Sequence, residues 1–326
     1  MERNSKQPKT LQEAVVFYSD PNNALAYMTL LRWPDGVVVC PTCDRDDVVF
    51  LHNQRKWQCK SVHPKRQFSA KVGTIFEDSP IPLDKWLIAV WMLSNCRNGV
   101  SSYELARTIG VTQKSAWFML HRIRLAMQDK SKTRIGGSGS PVEVDETFIG
   151  GKARFMHKGR RLRMKVRENN WSKTVVMGLL ERGGQVKTQV IPERRKRIVE
   201  QIVKDNVIPG SEVHTDEFVG YMDLSKDYVH QVINHLDGYV RENIHTNTIE
   251  NFWSCLKRGL NGTYIAVEPF HLFRYVDEQA FRFNNRKDGL RKITDFERFD
   301  NAASHIAGKR LTFAELTGKV GETAPF

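Results

Sequence analysis

VEVDETFIGG, residues 142–151, alternates like a β-strand yet carries three acids, in a chain whose formal net charge is +13. The two-residue period of a strand puts Glu143, Asp145 and Thr147 on one face and Val142, Val144, Glu146 and Phe148 on the other. Asp145 then lies mid-strand, where a buried charge is costly unless it is paired or holds a metal. A second stretch, SEVHTDEFVGY (211–221), places Glu212, His214 and Asp216 on one face at the end of another strand. Side by side, the two strands bring Asp145 and Asp216 together. Their repulsion raises one pKa unless a divalent cation compensates, and oxygen-only ligands with open positions suit Mg²⁺ or Mn²⁺.

A third stretch, HTNTIENFWSCLKRGLNGTY (245–264), reads as a helix: Ile249, Phe252, Trp253, Leu256 and Leu260 form one apolar stripe, with Glu250 and Lys257 on its flank. Glu250 is placed to lean over the sheet edge and join the two aspartates. Asn247 and Glu250 also read as the N-cap and N3 of a capping box. KTVVMGLLER, VKTQVIP, a helix from about Glu193 to Val203 and YVHQVINH supply the remaining elements. Together they predict an α/β domain, a mixed sheet with flanking helices, over 142–290.

Outward from this core, 326 residues with 40% hydrophobic content imply more than one domain. The basic excess points to a polyanionic partner such as nucleic acid. MERNSKQPKTLQEAVVFY, opening a helical segment over 1–30, lacks a signal-peptide core. WLIAVWML, from Trp86, is too short to span a bilayer. A soluble cytoplasmic protein without a membrane partner is expected. Cys40, Cys43, Cys59 and His63 follow the spacing C-x2-C-x15-C-x3-H, which fits a tetrahedral structural Zn²⁺ in a ribbon over 31–75. Cys96 and Cys255, among apolar neighbours, read as buried thiols.

In NGVSSYELARTIGVTQKSAWFMLHRIRLAM (98–127), Ser101 and Ser102 can cap one helix, Gly110 breaks it and Thr112 caps the next. This is a helix-turn-helix pattern within 76–133, with Gln113 and Lys114 at the start of the second helix, where base edges are touched. RIGGSGSP (134–141) reads as a linker, and 291–326 as a helical tail. KARFMHKGRRLRMKVRENNWSK (152–173), which contains Arg160 and Arg161, is a basic stretch suited to gripping phosphates.

VEVDETFIGG, VHTDEFVGY and HTNTIENFWSCLKRGLNGTY, with the CPTC ribbon and GTIFEDSPIPLDKW, resemble the insertion-sequence transposases of the ISXO-like group over roughly residues 10–290. That resemblance implies a DDE enzyme with a ribonuclease H-like core. Asp145 and Asp216 would be its first two metal-binding acids, with Glu250 third and Asn247 in reserve. Asp145 would bridge two Mg²⁺ (or Mn²⁺) ions, Asp216 hold one and Glu250 the other, while Lys257 contacts a phosphate. It further implies a bacterial, nucleoid-associated, homo-oligomeric protein that acts on double-stranded DNA at element ends and target, by hydrolysis followed by attack of the freed 3′-hydroxyl. Two alternatives share these residues: another metal-dependent nuclease on the same fold, and a catalytically silent DNA-binding regulator.

Overall fold

The computed structural model describes residues 7–129, 131–137, 139–150, 173–233 and 245–319. They divide into two compact units: the residues up to Gln128 together with those from Lys292 onward, and Asp129–Arg291.

The first unit opens with helices α1 (Leu11–Ser19) and α2 (Pro21–Arg32). A small antiparallel sheet follows, with strands β1 (Val48–Leu51), β2 (Lys56–Cys59) and β3 (Gln67–Phe68) in that order. Three helices complete this part: α3 (Leu83–Asn95), α4 (Ser102–Ile109) and α5 (Gln113–Met127). The boundaries of α4 and α5 follow from their caps. The hydroxyl of Ser101 accepts from the Glu104 N–H at 3.1 Å, and that of Thr112 from the Ser115 N–H at 3.1 Å. Between them Gly110, at φ 64°, takes the left-handed conformation that ends a helix and that a side chain would strain.

The second unit is a mixed five-stranded sheet. Its strands are β4 (Val142–Ile149), β5 (Thr174–Glu181), β6 (Val186–Ile191), β7 (Glu212–Thr215) and β8 (Val229–Val232). Across the sheet they run β6-β5-β4-β7-β8. The first three are antiparallel neighbours, while β7 runs parallel to both β4 and β8. Helix α6 (Lys196–Asn206) covers one face, sharing a core of Val142, Val144, Met177, Val199, Val203 and Tyr221. Helices α7 (Asn247–Gly259) and α8 (Leu272–Asn284) cover the other, and the predicted stripe from Ile249 to Leu260 is buried there. With both faces covered, β5 reads as an unbroken apolar run instead of an alternating one. The segment around Ile135 is tied in as well: Ile135 is buried in the first core and donates its N–H to the Asn206 carbonyl at 2.8 Å.

Residues after Lys292 return to the first unit through α9 (Asp295–Ser304) and α10 (Phe313–Leu316). Aromatic burial holds α9 there. Phe299 stacks on Tyr27 at 5.3 Å and meets Trp91 at 5.1 Å and Tyr18 at 5.7 Å, while the Tyr27 hydroxyl donates to Asp300 at 2.9 Å. Ring pairs at such distances add about 0.5–1.5 kcal/mol each beyond area burial. The predicted helical tail is therefore part of the first unit's core.

Candidate active site

The β4–β7 pairing is short. Only Val142↔Val213 and Glu143↔His214 are in register, and continuing that register by two residues sets Asp145 opposite Asp216. Among the described residues the edge of β4 is unpaired beyond Glu143, beside the carboxyl end of β7, the kind of place where crevices form in such sheets. One carboxylate oxygen from each of Asp145, Glu146 and Asp216 lies within 4.8 Å of the others. Glu146 corrects the strand-face argument. Alternation does point it to the opposite face, where its Oε1 accepts from the buried Tyr221 hydroxyl at 2.6 Å. At an open strand edge, however, side chains of both faces reach the same crevice.

Arg194 closes the cluster. Its Nη2 lies 2.8 Å from Glu146 Oε2 and 2.8 Å from Asp216 Oδ2, and its guanidinium sits 3.7 Å over the Phe218 ring. The residue belongs to the connection between β6 and α6. That commitment explains why α6 begins at Lys196 and not near Glu193: Arg195 is still extended, at φ −110° and ψ 143°.

Among the described residues the charges do not balance: three carboxylates face one guanidinium. Burial, with the neighbouring charge of Glu146 and more weakly that of Asp216, pushes the Asp145 carboxyl up to about 6. Burial also raises Glu146, against the pull of Tyr221 and Arg194. Glu146 Oε2 is buried and, despite its ion pair, has no well-aligned hydrogen bond. An all-oxygen donor set with excess negative charge and an under-satisfied buried oxygen fits a hard divalent cation such as Mg²⁺ or Mn²⁺.

Helix α7 is fixed to this site by two contacts. Trp253 Nε1 donates to Asp145 Oδ2 at 3.0 Å. The ring passes over Gly178, which pairs with Asp145 from β5; a Cβ there would meet Trp253 Cζ2 at 2.7 Å and Cη2 at 2.8 Å. At the start of α7, Glu143 Oε2 accepts from the N–H groups of Thr248 and Ile249, each at 2.9 Å. Its Oε1 pairs with Arg182 at 2.7 Å. The predicted capping box between Asn247 and Glu250 is therefore not formed. Thr246 is the N-cap residue and makes no side-chain cap, and a carboxylate from β4 neutralises the helix terminus instead.

In the first unit, Cys40, Cys43, Cys59 and His63 each bring a ligand atom within 4.8 Å of the rest. Cys43 Sγ lies 3.7 Å from Cys59 Sγ, and Cys40 Sγ 3.5 Å from His63 Nε2. A tetrahedral Zn²⁺, with sulfur at about 2.3 Å and nitrogen at about 2.0–2.1 Å, separates its ligands by about 3.8 Å (S to S) and about 3.5 Å (S to N). His63 Nδ1 is 2.6 Å from the Pro64 carbonyl, which fixes the proton there and leaves Nε2 to the metal. Four ligands close the shell, so this site suits structural zinc.

The sequence matches an ISXO2-like transposase domain over residues 136–284 and a transposase zinc-ribbon domain over 19–61. It is 33% identical over 103 residues to an uncharacterized transposase-like protein of Haemophilus influenzae, spanning 82% of that protein and 31% of this chain. The chain belongs to the ISXO2-like transposases. It is also 29% identical over 280 residues to an uncharacterized protein in transposable element ISH50 of Halobacterium salinarum, covering 80% of this chain and 89% of that protein.

The other predicted site residues of this transposase are more scattered. Glu250 is exposed on α7, and its carboxylate accepts from the Thr246 hydroxyl at 3.3 Å; it is not among the clustered acids. Asn247 is exposed at the start of α7, and Lys257 near its end. Gln113 donates to the Ser102 hydroxyl at 2.8 Å, and Lys114 Nζ lies 4.9 Å over the Phe313 ring. Arg160 and Arg161 lie outside the described residues. Cys96, at the C-terminal cap of α3, and Cys255, within α7, were expected to be buried and are partly exposed. Among the described residues no helix is long and apolar enough to cross a membrane. Glu146 and Arg194 were not legible as site residues: strand alternation argued against the first, and the second stands in a run of cations with nothing to mark it.

Proposed function

We propose that this transposase binds the double-stranded ends of an insertion sequence, cleaves a phosphodiester there and joins the freed 3′-hydroxyl to target DNA, acting as a homo-oligomer. The observation that carries this reading is the convergence of Asp145, Glu146 and Asp216 at the open edge of β4. The strand order, three antiparallel strands followed by two parallel ones, supports a ribonuclease H-like core.

In this reading Asp145, Glu146 and Asp216 hold a divalent cation. Glu250, one helical turn before the Trp253 that reaches Asp145, takes the third position of the acid triad, with Asn247 as the alternative. The bound Mg²⁺ or Mn²⁺ supplies Lewis-acid stabilisation of the charge that develops on the phosphoryl oxygens. Trp253 holds the Asp145 carboxylate in one orientation, and Glu143 keeps α7 seated against the sheet. Both restrict the geometry before substrate arrives. Lys257, Arg160 and Arg161 contact phosphates. Gln113 and Lys114, at the start of α5 in a helix-turn-helix, face DNA bases and exchange their present partners for it.

The test is Asp145→Asn with a labelled duplex carrying an element end. Strand cleavage and joining should be lost while binding to the end stays within a few-fold of wild type; retained cleavage overturns the assignment.

A further inference from the structure

The residue that ties the acid cluster together is a cation of the chain itself. A single nitrogen, Arg194 Nη2, lies 2.8 Å from both Glu146 Oε2 and Asp216 Oδ2. It sits between the two carboxylates as a bound cation would. The rest of the guanidinium is supported on one side by the Phe218 ring, at 3.7 Å, but not by a full set of hydrogen bonds. Among the described residues, Arg194 Nε is buried with no hydrogen-bond acceptor, and Glu146 Oε2 has only its ion pair with Arg194 Nη2 and no well-aligned hydrogen bond. Arginine buried in a permanent structural role normally satisfies its planar fork of donors. Here the fit is loose, and the residue rides on a non-helical connection between Ile191 and Lys196.

We propose that Arg194 is a specificity-determining residue of the cation site: it occupies the Glu146–Asp216 oxygens until a divalent ion displaces it. The inference rests on the metal-binding reading given above. Its logic is competition. A monovalent ion offers the carboxylates no more charge than the guanidinium already there and none of its N–H donors. A divalent ion offers twice the charge at the same distance, and so twice the Coulomb attraction. The site thereby discriminates by charge before size or geometry applies. The displaced guanidinium, swinging about the 192–195 connection, is then free to meet a phosphate, the anion whose shape its fork matches.

The experiment is a calorimetric Mn²⁺ titration of the full chain without DNA, alongside thermal unfolding with and without Mn²⁺. Arg194→Gln should bind Mn²⁺ about tenfold more tightly than wild type, since the ion no longer breaks two charge-assisted contacts. The same variant should be less stable than wild type without metal and gain more from its addition. Arg194→Lys, which keeps the charge, should stay near wild type. Phe218→Leu removes the platform and leaves every charge in place; it should tighten Mn²⁺ binding a few-fold, and it decides the matter if Arg194→Gln does not fold. Unchanged or weaker Mn²⁺ binding in folded Arg194→Gln and Phe218→Leu overturns the competition. If wild type and variants alike take up no Mn²⁺, the metal-binding reading falls together with it. Loss of binding in Asp216→Asn but not in wild type shows that the carboxylate site itself is intact as proposed.

Discussion

Replacing Asp145 by Asn should stabilise the metal-free protein. The carboxyl is pushed from an ordinary value of 3.8 up to about 6, chiefly by burial and then by the charge of Glu146. A carboxyl pKa raised by folding means that the folded state disfavours the ionised form. Its contribution to stability is therefore greatest below pH about 4 and is lost as pH rises through about 6. A shift of roughly two units corresponds to about 3 kcal/mol at most, and about 1–3 kcal/mol remains after allowing for the partial exposure of the group. Asn keeps an oxygen for Trp253 Nε1 and removes the charge, so the variant should recover that amount at pH 8 and little of it at pH 4. For units of this size that is a rise in Tm of about 2–10 °C. Thermal unfolding at pH 4, 6 and 8, with chelator present, measures it. Adding Mn²⁺ at pH 8 should stabilise wild type and leave the variant unmoved, narrowing or reversing the difference. If Asp145→Asn is less stable than wild type at pH 8 in chelator, Asp145 is a structural ion-pair partner, and the case for a cation site built on its strained ionisation fails.

Two further outcomes follow from the packing around that site and from the zinc ligands. Gly178→Ala puts a methyl group within 3 Å of the Trp253 ring; it should cost about 1–3 kcal/mol in urea denaturation and, by displacing the Asp145 donor, reduce cleavage more than binding. His63→Ala should lower the zinc content measured by mass spectrometry from one per chain towards zero, and raise hydrogen exchange across the strands β1–β3 while leaving β4–β8 protected.

The parts of the site legible in the sequence are those governed by local period and spacing. C-x2-C-x15-C-x3-H picks out the four residues whose ligand atoms cluster in the ribbon, because the short spacings within each pair depend on neighbours in the chain. The two-residue period of VEVDETF and SEVHTDEF, with the assumption that the strands adjoin, correctly puts Asp145 beside Asp216. The caps at Ser101 and Thr112 and the stop at Gly110 were readable for the same reason.

What eluded the sequence depends on where one strand stops pairing with another. Because β4 and β7 part after Glu143 and His214, an edge opens at which Glu146, assigned by alternation to the far face, can reach the same crevice as Asp145. Glu143, undecided from sequence, becomes the cap of a helix more than a hundred residues away. Arg194 becomes the counter-ion of the cluster, and Gly178 the gap through which Trp253 reaches Asp145. The chain's own order thus determined the elements, the cysteine and histidine cluster of the ribbon and two of the clustered acids. Tertiary structure decided which other charges share their space, because a buried charge is settled by whichever partners the fold brings within a few ångströms, and sequence separation does not limit that choice.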